Sequence, residues 1–271
     1  MFTITFLIPY AQMESLVRAV WAEHNEAMKI DDPQYVPEYE LAVEVGLGLM
    51  PDTEQLIRRT DVLVARGGTA SMIKESFPDI YVVELPISGS DLMAVVKKAL
   101  SDHPNMPIAM IGTFNMLYSA ERMLRLMGMD VCAYYVKNVA YENLQHTVNM
   151  AVNDGRRIIL GGVNTVKAAE EKGAHGYLIE SSRESVWLAV TEAKRLCNII
   201  RTEREKASLF KAVMDSTKEG ILAVNRKGQI IAINPAAVSL LNIENSIEKF
   251  HPIDSLLQDK VLSDLLQNDK H

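Results

Sequence analysis

The stretch Asp61-Val62-Leu63-Val64-Ala65-Arg66-Gly67-Gly68-Thr69 joins a short apolar run to a pair of glycines. That order predicts a buried strand that turns sharply into a helix, because glycine adopts backbone angles that other residues avoid. A similar stretch, Ile159-Leu160-Gly161-Gly162-Val163-Asn164-Thr165, occurs in the second half of the chain. The repetition favours two similar α/β lobes with a cleft between them, and a chance likeness between two such turns is the alternative.

Around these two stretches, short apolar runs alternate with longer amphipathic segments, which is the pattern of βα units and a parallel sheet. The predicted strands of the first half are Thr3–Ile8, Leu41–Val45, Asp61–Ala65 and Ile80–Glu84. Those of the second half are Ile108–Ile111, Val131–Val136, Arg157–Leu160 and Tyr177–Ile179. The clearest helix is Gln12–Lys29. We therefore predict an α/β fold of two flavodoxin-like or Rossmann-like lobes with parallel sheets and an interlobe cleft.

The chain is expected to cross between the lobes after Pro86, where Ser88-Gly89-Ser90-Asp91 indicates a turn and a helix cap. From Ser182 to about Ser216 the pattern becomes that of one long helix. Its apolar positions recur at steps of three and four, as in a heptad seam: Val186, Val190, Ala193, Cys197, Ile200, Ala207 and Met214. Two interpretations stay open. The helix packs on its own lobe as far as Ile200, or the seam joins two copies in a weak homodimer.

The last segment predicts a β-hairpin and a helix. The hairpin consists of Gly220–Asn225 and Gln229–Asn234, with Gly228 in the turn, and the helix begins at Pro235.

Composition narrows the classes of function. The 271 residues carry a net charge of −7, which is atypical of a nucleic-acid-binding face. Cys132 and Cys197 are too few and too far apart for a disulfide framework or a metal site. The lone histidines, His24 among them, show no metal-ligand spacing and are expected at the surface. No apolar run approaches a membrane span, and the N-terminus indicates a strand and not a signal peptide, so we expect a cytoplasmic protein without membrane contact.

Three separated motifs carry a resemblance to a known family: Asp61–Ala70, Val83–Asp91 and Gly176–Arg195. Over roughly residues 3–200 the chain resembles the N-terminal sensory domain of propionate catabolism activators, which are sigma-54-dependent transcriptional regulators. The hairpin and helix after Gly220 resemble the opening of a PAS domain. The resemblance implies a ligand-sensing region that binds a small anionic metabolite in the cleft, a methylcitrate-like acid for example, and signals through the long helix and the PAS segment.

The resemblance also implies a division of the chain and a set of partners. We expect a sensor domain at 1–200, a helical linker at 201–216 and a truncated PAS domain at 217–271. Within the sensor, one lobe is expected at about 1–86 plus the helix of about 183–200, and the other at about 87–182. Similar proteins continue into an AAA+ ATPase and a helix-turn-helix. The sequence has no Gly-x-x-x-x-Gly-Lys-Ser/Thr loop, so contacts with ATP, DNA and sigma-54 RNA polymerase are expected only of output domains outside this chain.

Candidate ligand-binding residues follow the predicted strands, because ligands of open α/β sheets bind beyond the carboxyl ends of the strands and helix N-termini attract anions. Arg66 leads, since a guanidinium pairs with a carboxylate through two hydrogen bonds; a bridge to a surface acid is the alternative. For Ser88 the alternative is a helix cap. The other candidates are Tyr10, Gly67, Gly68, Thr69, Thr113, Asn115, Gly161, Gly162, Asn164 and Thr165.

Two other classes of protein fit parts of the pattern. One is a free-standing solute-binding or interaction module without an output domain. The other is a cofactor-independent racemase, which also has two α/β lobes and places a cysteine from each lobe at the cleft. Here Cys132 lies in a predicted strand and Cys197 in the long helix, where both indicate apolar packing. We therefore predict no catalytic residues, no metal and no cofactor.

Overall fold

The computed structural model describes residues 1–32, 38–136, 140–241 and 252–253. The chain divides into two compact units, residues 1–198 and 199–271. The first unit holds two four-stranded parallel sheets, each of which forms one lobe.

The first lobe is built on the sheet β2-β1-β3-β4. Its strands are β1 (Phe2–Ile8), β2 (Tyr39–Val45), β3 (Val62–Ala65) and β4 (Tyr81–Glu84). Its helices are α1 (Met13–Asp31), α2 (Thr53–Arg58) and α3 (Gly67–Ser76). All four residues of β3 are buried. Central parallel strands are covered on both faces, which explains their continuous apolar sequence.

The second lobe repeats this arrangement in the sheet β6-β5-β7-β8. Its strands are β5 (Ile108–Gly112), β6 (Val131–Tyr135), β7 (Ile158–Gly161) and β8 (His175–Leu178). Its helices are α4 (Gly89–Asp102), α5 (Phe114–Leu126), α6 (Tyr141–Asn153) and α7 (Val163–Glu171). Residues of α4 and α5 form one buried cluster with β5 and β7, while α6 and α7 cover the other face.

The predicted α/β fold with two parallel sheets is confirmed. Each of the eight predicted strands is present, and no strand end is displaced by more than two residues. The short helix α2 was not predicted, because six residues are too few to show a helical period.

The long helix α8 spans Arg183–Ser216. Val186, Val190, Ala193 and Cys197 are fully buried within the first unit. These positions therefore belong to the core of the chain itself and are not available to a second copy. Ala207, in contrast, is exposed. The part of the predicted seam that packs on its own lobe is thus the first half of the helix.

The second unit contains the antiparallel pair β9 (Leu222–Val224) and β10 (Ile230–Ile233), followed by α9 (Pro235–Leu240). Asn234 organises this unit, because its fully buried side chain accepts hydrogen bonds from the N–H groups of Ile221 and Ala237. The same side chain donates to the carbonyl oxygens of Met214 and Glu219. The predicted hairpin and helix start are both present. Within the described part of the chain, no helix is long and apolar enough to cross a membrane.

Candidate functional site

A cavity of about 290 Å³ lies between the two lobes of the first unit. Most of its wall consists of residues at or just beyond the carboxyl ends of β1, β2 and β3 in one lobe and of β5, β7 and β8 in the other, and helices contribute the rest. The volume is near the lower end of the range for small-molecule sites, which is about 300–1,000 Å³. The location is where open parallel sheets bind ligands.

Three helices begin at the cavity wall: α3, α5 and α7. Their N-cap residues are Arg66, Thr113 and Gly162, and none of them caps its helix with a side-chain hydrogen bond. The first N–H groups of a helix have no partner within the helix and carry partial positive charge. The cavity therefore offers backbone donors suited to an anion from both lobes.

The two strand-to-helix turns correspond residue by residue in the structure. Ala65 ends β3 and accepts a hydrogen bond from Leu85, just as Gly161 ends β7 and accepts one from Ile179. It follows that Arg66 corresponds to Gly162. The sequence comparison, which pairs one Gly-Gly dipeptide with the other, is therefore out of register by two residues.

Arg66 is the residue that gives the cavity its charge. Its Nη1 donates a hydrogen bond to Ser181 Oγ at 2.9 Å. The side chain as a whole is partly exposed, but Nε and Nη2 are buried and have no hydrogen-bond partner among the described residues. Burial lowers the pKa of the guanidinium, whereas Asp91 and Tyr10 act to raise it. Buried donors without a hydrogen-bond partner are costly, so a small movement of the side chain that brings them to an acceptor in the cavity is favourable.

Tyr10 lines the cavity beside Arg66. Burial raises the pKa of its phenol, and the charge of Glu180 adds to this, while Arg66 and a hydrogen bond from the Ser181 backbone oppose it. The phenol is therefore neutral at physiological pH and available as a hydrogen-bond donor.

Neutral polar groups complete the wall. Thr69 Oγ1 accepts a hydrogen bond from the Gly48 N–H at 2.9 Å, which fixes the loop after β2. Thr113 Oγ1 is buried without a hydrogen-bond partner among the described residues. Asn164 and Thr165 line the cavity from the first turn of α7.

The structure brings nine of the twelve predicted site residues to the cavity wall: Tyr10, Arg66, Gly67, Gly68, Thr69, Thr113, Gly162, Asn164 and Thr165. Ser88 lies outside the wall and caps α4 in a reciprocal arrangement with Asp91. Gly161 ends β7 behind the wall, where a Cβ would lie 2.9 Å from the carbonyl oxygen of Ile111. Asn115 belongs to α5, and its side chain is outside the described part of the structure.

Sequence reasoning missed much of the apolar wall. Leu47 and Leu49, together with Gly46 and Gly48, follow β2 and face the cavity, as do methionines 72 and 116 from α3 and α5. Two glycines directly after a predicted strand were the available signal for the first group. Nothing in the sequence distinguishes the two methionines from core residues.

Asp91 joins the two segments that cross between the lobes. It accepts hydrogen bonds from the Ser88 N–H at 3.0 Å, the Ser182 N–H at 2.7 Å and the Ser185 hydroxyl. Burial raises the pKa of this carboxyl, whereas the hydrogen bonds lower it. The hydrogen bonds together have the larger effect, so the pKa lies below its usual value. One buried carboxylate thus fixes both crossings, a role that the sequence did not reveal.

The expectation that the lone histidines lie at the surface is wrong for His24. It is 5% exposed, and its Nδ1 lies 3.1 Å from the Lys194 Nζ of α8. Burial and then the lysine charge lower the pKa of His24 to about 4. Burial also lowers the pKa of Lys194 to about 8. These two residues hold α8 against α1. Among the described residues, no group of three or more side chains that could bind a metal ion occurs.

Comparison with protein-family models gives two matches. The model described as propionate catabolism activator matches residues 36–203. A PAS domain model matches residues 208–269. The comparison with curated proteins returned no match.

Among solved structures, the chain is similar to an NtrC family transcriptional regulator from Clostridium acetobutylicum. The TM-score is 0.56 at 19% identity, over 73% of this chain and 97% of that one. A second match is the ABC domain in complex with L-Trp from Streptococcus pneumonia, with a TM-score of 0.39 at 10% identity, over 74% of this chain and 84% of that one. The first of these supports the fold.

Proposed function

We propose that this chain, which belongs to the propionate catabolism activator family, senses a small carboxylate for a sigma-54-dependent transcriptional activator. The chain consists of the sensory domain of that family followed by a PAS domain. We further propose that the ligand is a carboxylate, that it binds in the interlobe cavity, and that the output is transcription.

The observation that carries the proposal is the state of Arg66. A buried guanidinium with two unpaired N–H groups at a cavity wall is stable only if the fold over-determines its position or if a ligand completes it. Its Nη1 is held by Ser181, which fixes the remaining two donors. Three helix N-termini around the same cavity favour negative charge there.

A ligand in this cavity contacts both lobes, because the wall draws on strand ends of both sheets. It therefore binds more tightly to the arrangement of the lobes in which residues of both lobes contact it. The equilibrium between this arrangement and others shifts by the difference in their affinities for the ligand. Helix α8 begins directly after the crossing at Ser181 and Ser182. A change in the angle between the lobes acts first on this crossing, which makes α8 the path of the signal.

Thermal unfolding and titration calorimetry with small organic acids test the proposal. An acid that binds only the native chain must raise its melting temperature. Arg66→Ala is expected to weaken binding by about 2–5 kcal/mol, since a charge-assisted contact in a buried site is lost. Arg58→Ala is the matched control, because Arg58 is an exposed arginine of the same lobe that pairs with Glu54. Equal affinity of the Arg66 variant and the wild type would refute the role of Arg66.

The partners proposed for the chain are a small anionic metabolite and a second copy of itself. The exposed part of α8 carries Leu209, Phe210 and Val213, and a weak homodimer through this stretch would cover them. Light scattering over a wide concentration range should show a rising mass, and a constant monomer mass would exclude the dimer. We propose that DNA and sigma-54 RNA polymerase contact output domains only. We also propose that the protein acts in the cytoplasm and that this chain catalyses no reaction.

A further inference from the structure

In the part of the chain that the structure describes, the wall of the interlobe cavity carries a single charged side chain. Among the described residues that line it, Arg66 is the only one with an ionisable side chain that is charged at neutral pH. Tyr10, Thr69, Thr113, Asn164 and Thr165 are neutral and polar, and the remaining wall residues are apolar or glycine. The described side chains of this wall therefore neutralise at most one negative charge.

The geometry of Arg66 selects the group that carries this charge. With Nη1 bound to Ser181, the unpaired atoms are Nε and Nη2. Nε carries one N–H bond and Nη2 carries two, and one N–H of each lies on the same edge of the planar guanidinium and points the same way. A carboxylate accepts both at once through its two oxygens, and this bidentate pair is the most specific one that arginine makes.

Asp91 cannot take this place. It is close enough for its charge to act on the Arg66 pKa, but its oxygens already accept hydrogen bonds from Ser88, Ser182 and Ser185. Its negative charge also offsets part of the positive charge of Arg66, so that the capacity of the cavity for further anionic groups is smaller still.

The rest of the wall is unsuited to a second carboxylate. Leu47, Leu49, Met72 and Met116 present carbon and sulfur to the cavity. A second carboxylate would lose its hydration against these side chains, and the partial charge of a helix N-terminus returns less than that loss. Thr113 Oγ1, buried and without a hydrogen-bond partner in the described part of the chain, suits a neutral hydroxyl or carbonyl group instead.

Resting on the proposed function, we infer that the ligand is a small monocarboxylate with a mainly apolar carbon skeleton. Its carboxylate pairs with Arg66 of the first lobe once a rotation of the guanidinium brings the Nε and Nη2 edge, which is enclosed by protein in this structure, to the cavity. Its carbon skeleton packs on the leucines after β2 and on methionines 72 and 116 of α3 and α5. A methylcitrate-like tricarboxylate, which the family resemblance suggests, carries two charges that this wall does not neutralise.

The experiment compares matched acids on the full chain by calorimetry. The monocarboxylates are the straight-chain series from acetate to octanoate, the polycarboxylates are succinate, adipate and citrate, and hexanamide is the neutral counterpart of hexanoate. We expect affinity to rise with chain length until the cavity is full, because each buried methylene adds about 0.8 kcal/mol, which is roughly fourfold in affinity. Hexanoate should bind at least about 30-fold more tightly than hexanamide or adipate.

Variants link this preference to Arg66. Arg66→Gln should remove the preference of hexanoate over hexanamide, and Arg66→Lys, which keeps the charge but not the paired donors, should restore only part of it. Arg58→Gln, the exposed control, should leave it unchanged. If an Arg66 variant fails to fold, the comparison of acid, amide and diacid on the wild-type chain still decides.

The outcomes separate this inference from the function on which it rests. Citrate or adipate binding more tightly than every monocarboxylate, and depending on Arg66, would overturn the monocarboxylate and leave the carboxylate sensor standing. Hexanamide binding as well as hexanoate would overturn both the inference and the role of Arg66. Absence of binding by every acid of the series would overturn the inference together with the carboxylate sensor.

Discussion

The same strand-to-helix turn occurs once in each lobe, and the two copies differ at one position that matters. In the first lobe the residue before the helix is Arg66, and in the second it is Gly162. Both turns present helix N-terminal N–H groups to one cavity, and Thr69 and Thr165 occupy corresponding buried positions after them. The fold therefore supplies the backbone donors twice, whereas the fixed charge comes from one side chain.

This difference separates the part of the site that binds any anion from the part that selects a carboxylate. Backbone donors at two helix N-termini attract any anion of suitable size. Arg66 adds the geometry of a carboxylate. Gly162 leaves space instead, since a Cβ there would meet no atom within 4 Å. Selectivity is thus expected to reside in the first lobe and room for the ligand in the second.

The largest loss of stability is expected at Asp91, which joins the two segments that cross between the lobes. Asp91→Ala removes the acceptor of the Ser182 N–H and of the buried Ser185 hydroxyl, and it leaves the Ser88 N–H only its 3.2 Å hydrogen bond to Ser185 Oγ. The first unit should lose roughly 3 kcal/mol or more of unfolding free energy, as measured by urea denaturation. Because the folded pKa of Asp91 is lowered, this difference is present above about pH 4 and shrinks as the pH falls through the folded pKa. Asp79→Ala, at an exposed acid, is the control, and an equal loss there would contradict the role of Asp91.

Gly161 and Gly162 of the second turn are expected to respond differently to substitution by alanine. Gly161→Ala would bring its Cβ within 2.9 Å of a backbone oxygen that cannot move freely, so a loss of about 1–3 kcal/mol in stability is expected. Gly162→Ala, at φ −81° and ψ 178°, is unstrained and should leave the melting temperature nearly unchanged. Its methyl group occupies space at the cavity wall and should weaken ligand binding about tenfold. A reversed pattern of stability and binding would show that the register of the two turns is misassigned.

The smallest change in stability at neutral pH is expected at His24, which lies on α1 and contacts α8. The folded pKa of His24 is about 4, below its unfolded value of about 6.5. Between these values the unfolded chain binds the proton more readily, so stability is full above about pH 6.5 and falls as the pH drops toward 4. Urea midpoints across this range should show the slope in the wild type and a flatter one in His24→Gln. His146→Gln, at an exposed position of the second lobe, should keep the wild-type slope.

The sequence predicted the fold well because both lobes rest on local patterns. Apolar runs such as Val62–Ala65 and glycine turns such as Gly67-Gly68 have the same meaning wherever they occur. Much of the candidate site followed from the rule that ligands bind beyond strand ends. The position of His24 did not follow, because it contacts Trp187, Thr191 and Lys194 of α8, which are distant from it in the sequence.

The pattern was readable in the sequence: two sets of parallel strands, two sharp turns into helices, and an arginine at the first of these turns. Only the tertiary structure decided that Ser181 takes one nitrogen of Arg66 and leaves two unpaired. It also decided that Ser88 caps a helix away from the cavity and that Asp91 fixes both crossings. The physical reason is that strands and turns form from neighbouring residues, whereas hydrogen-bond partners and burial are set by segments that meet only when the chain has folded.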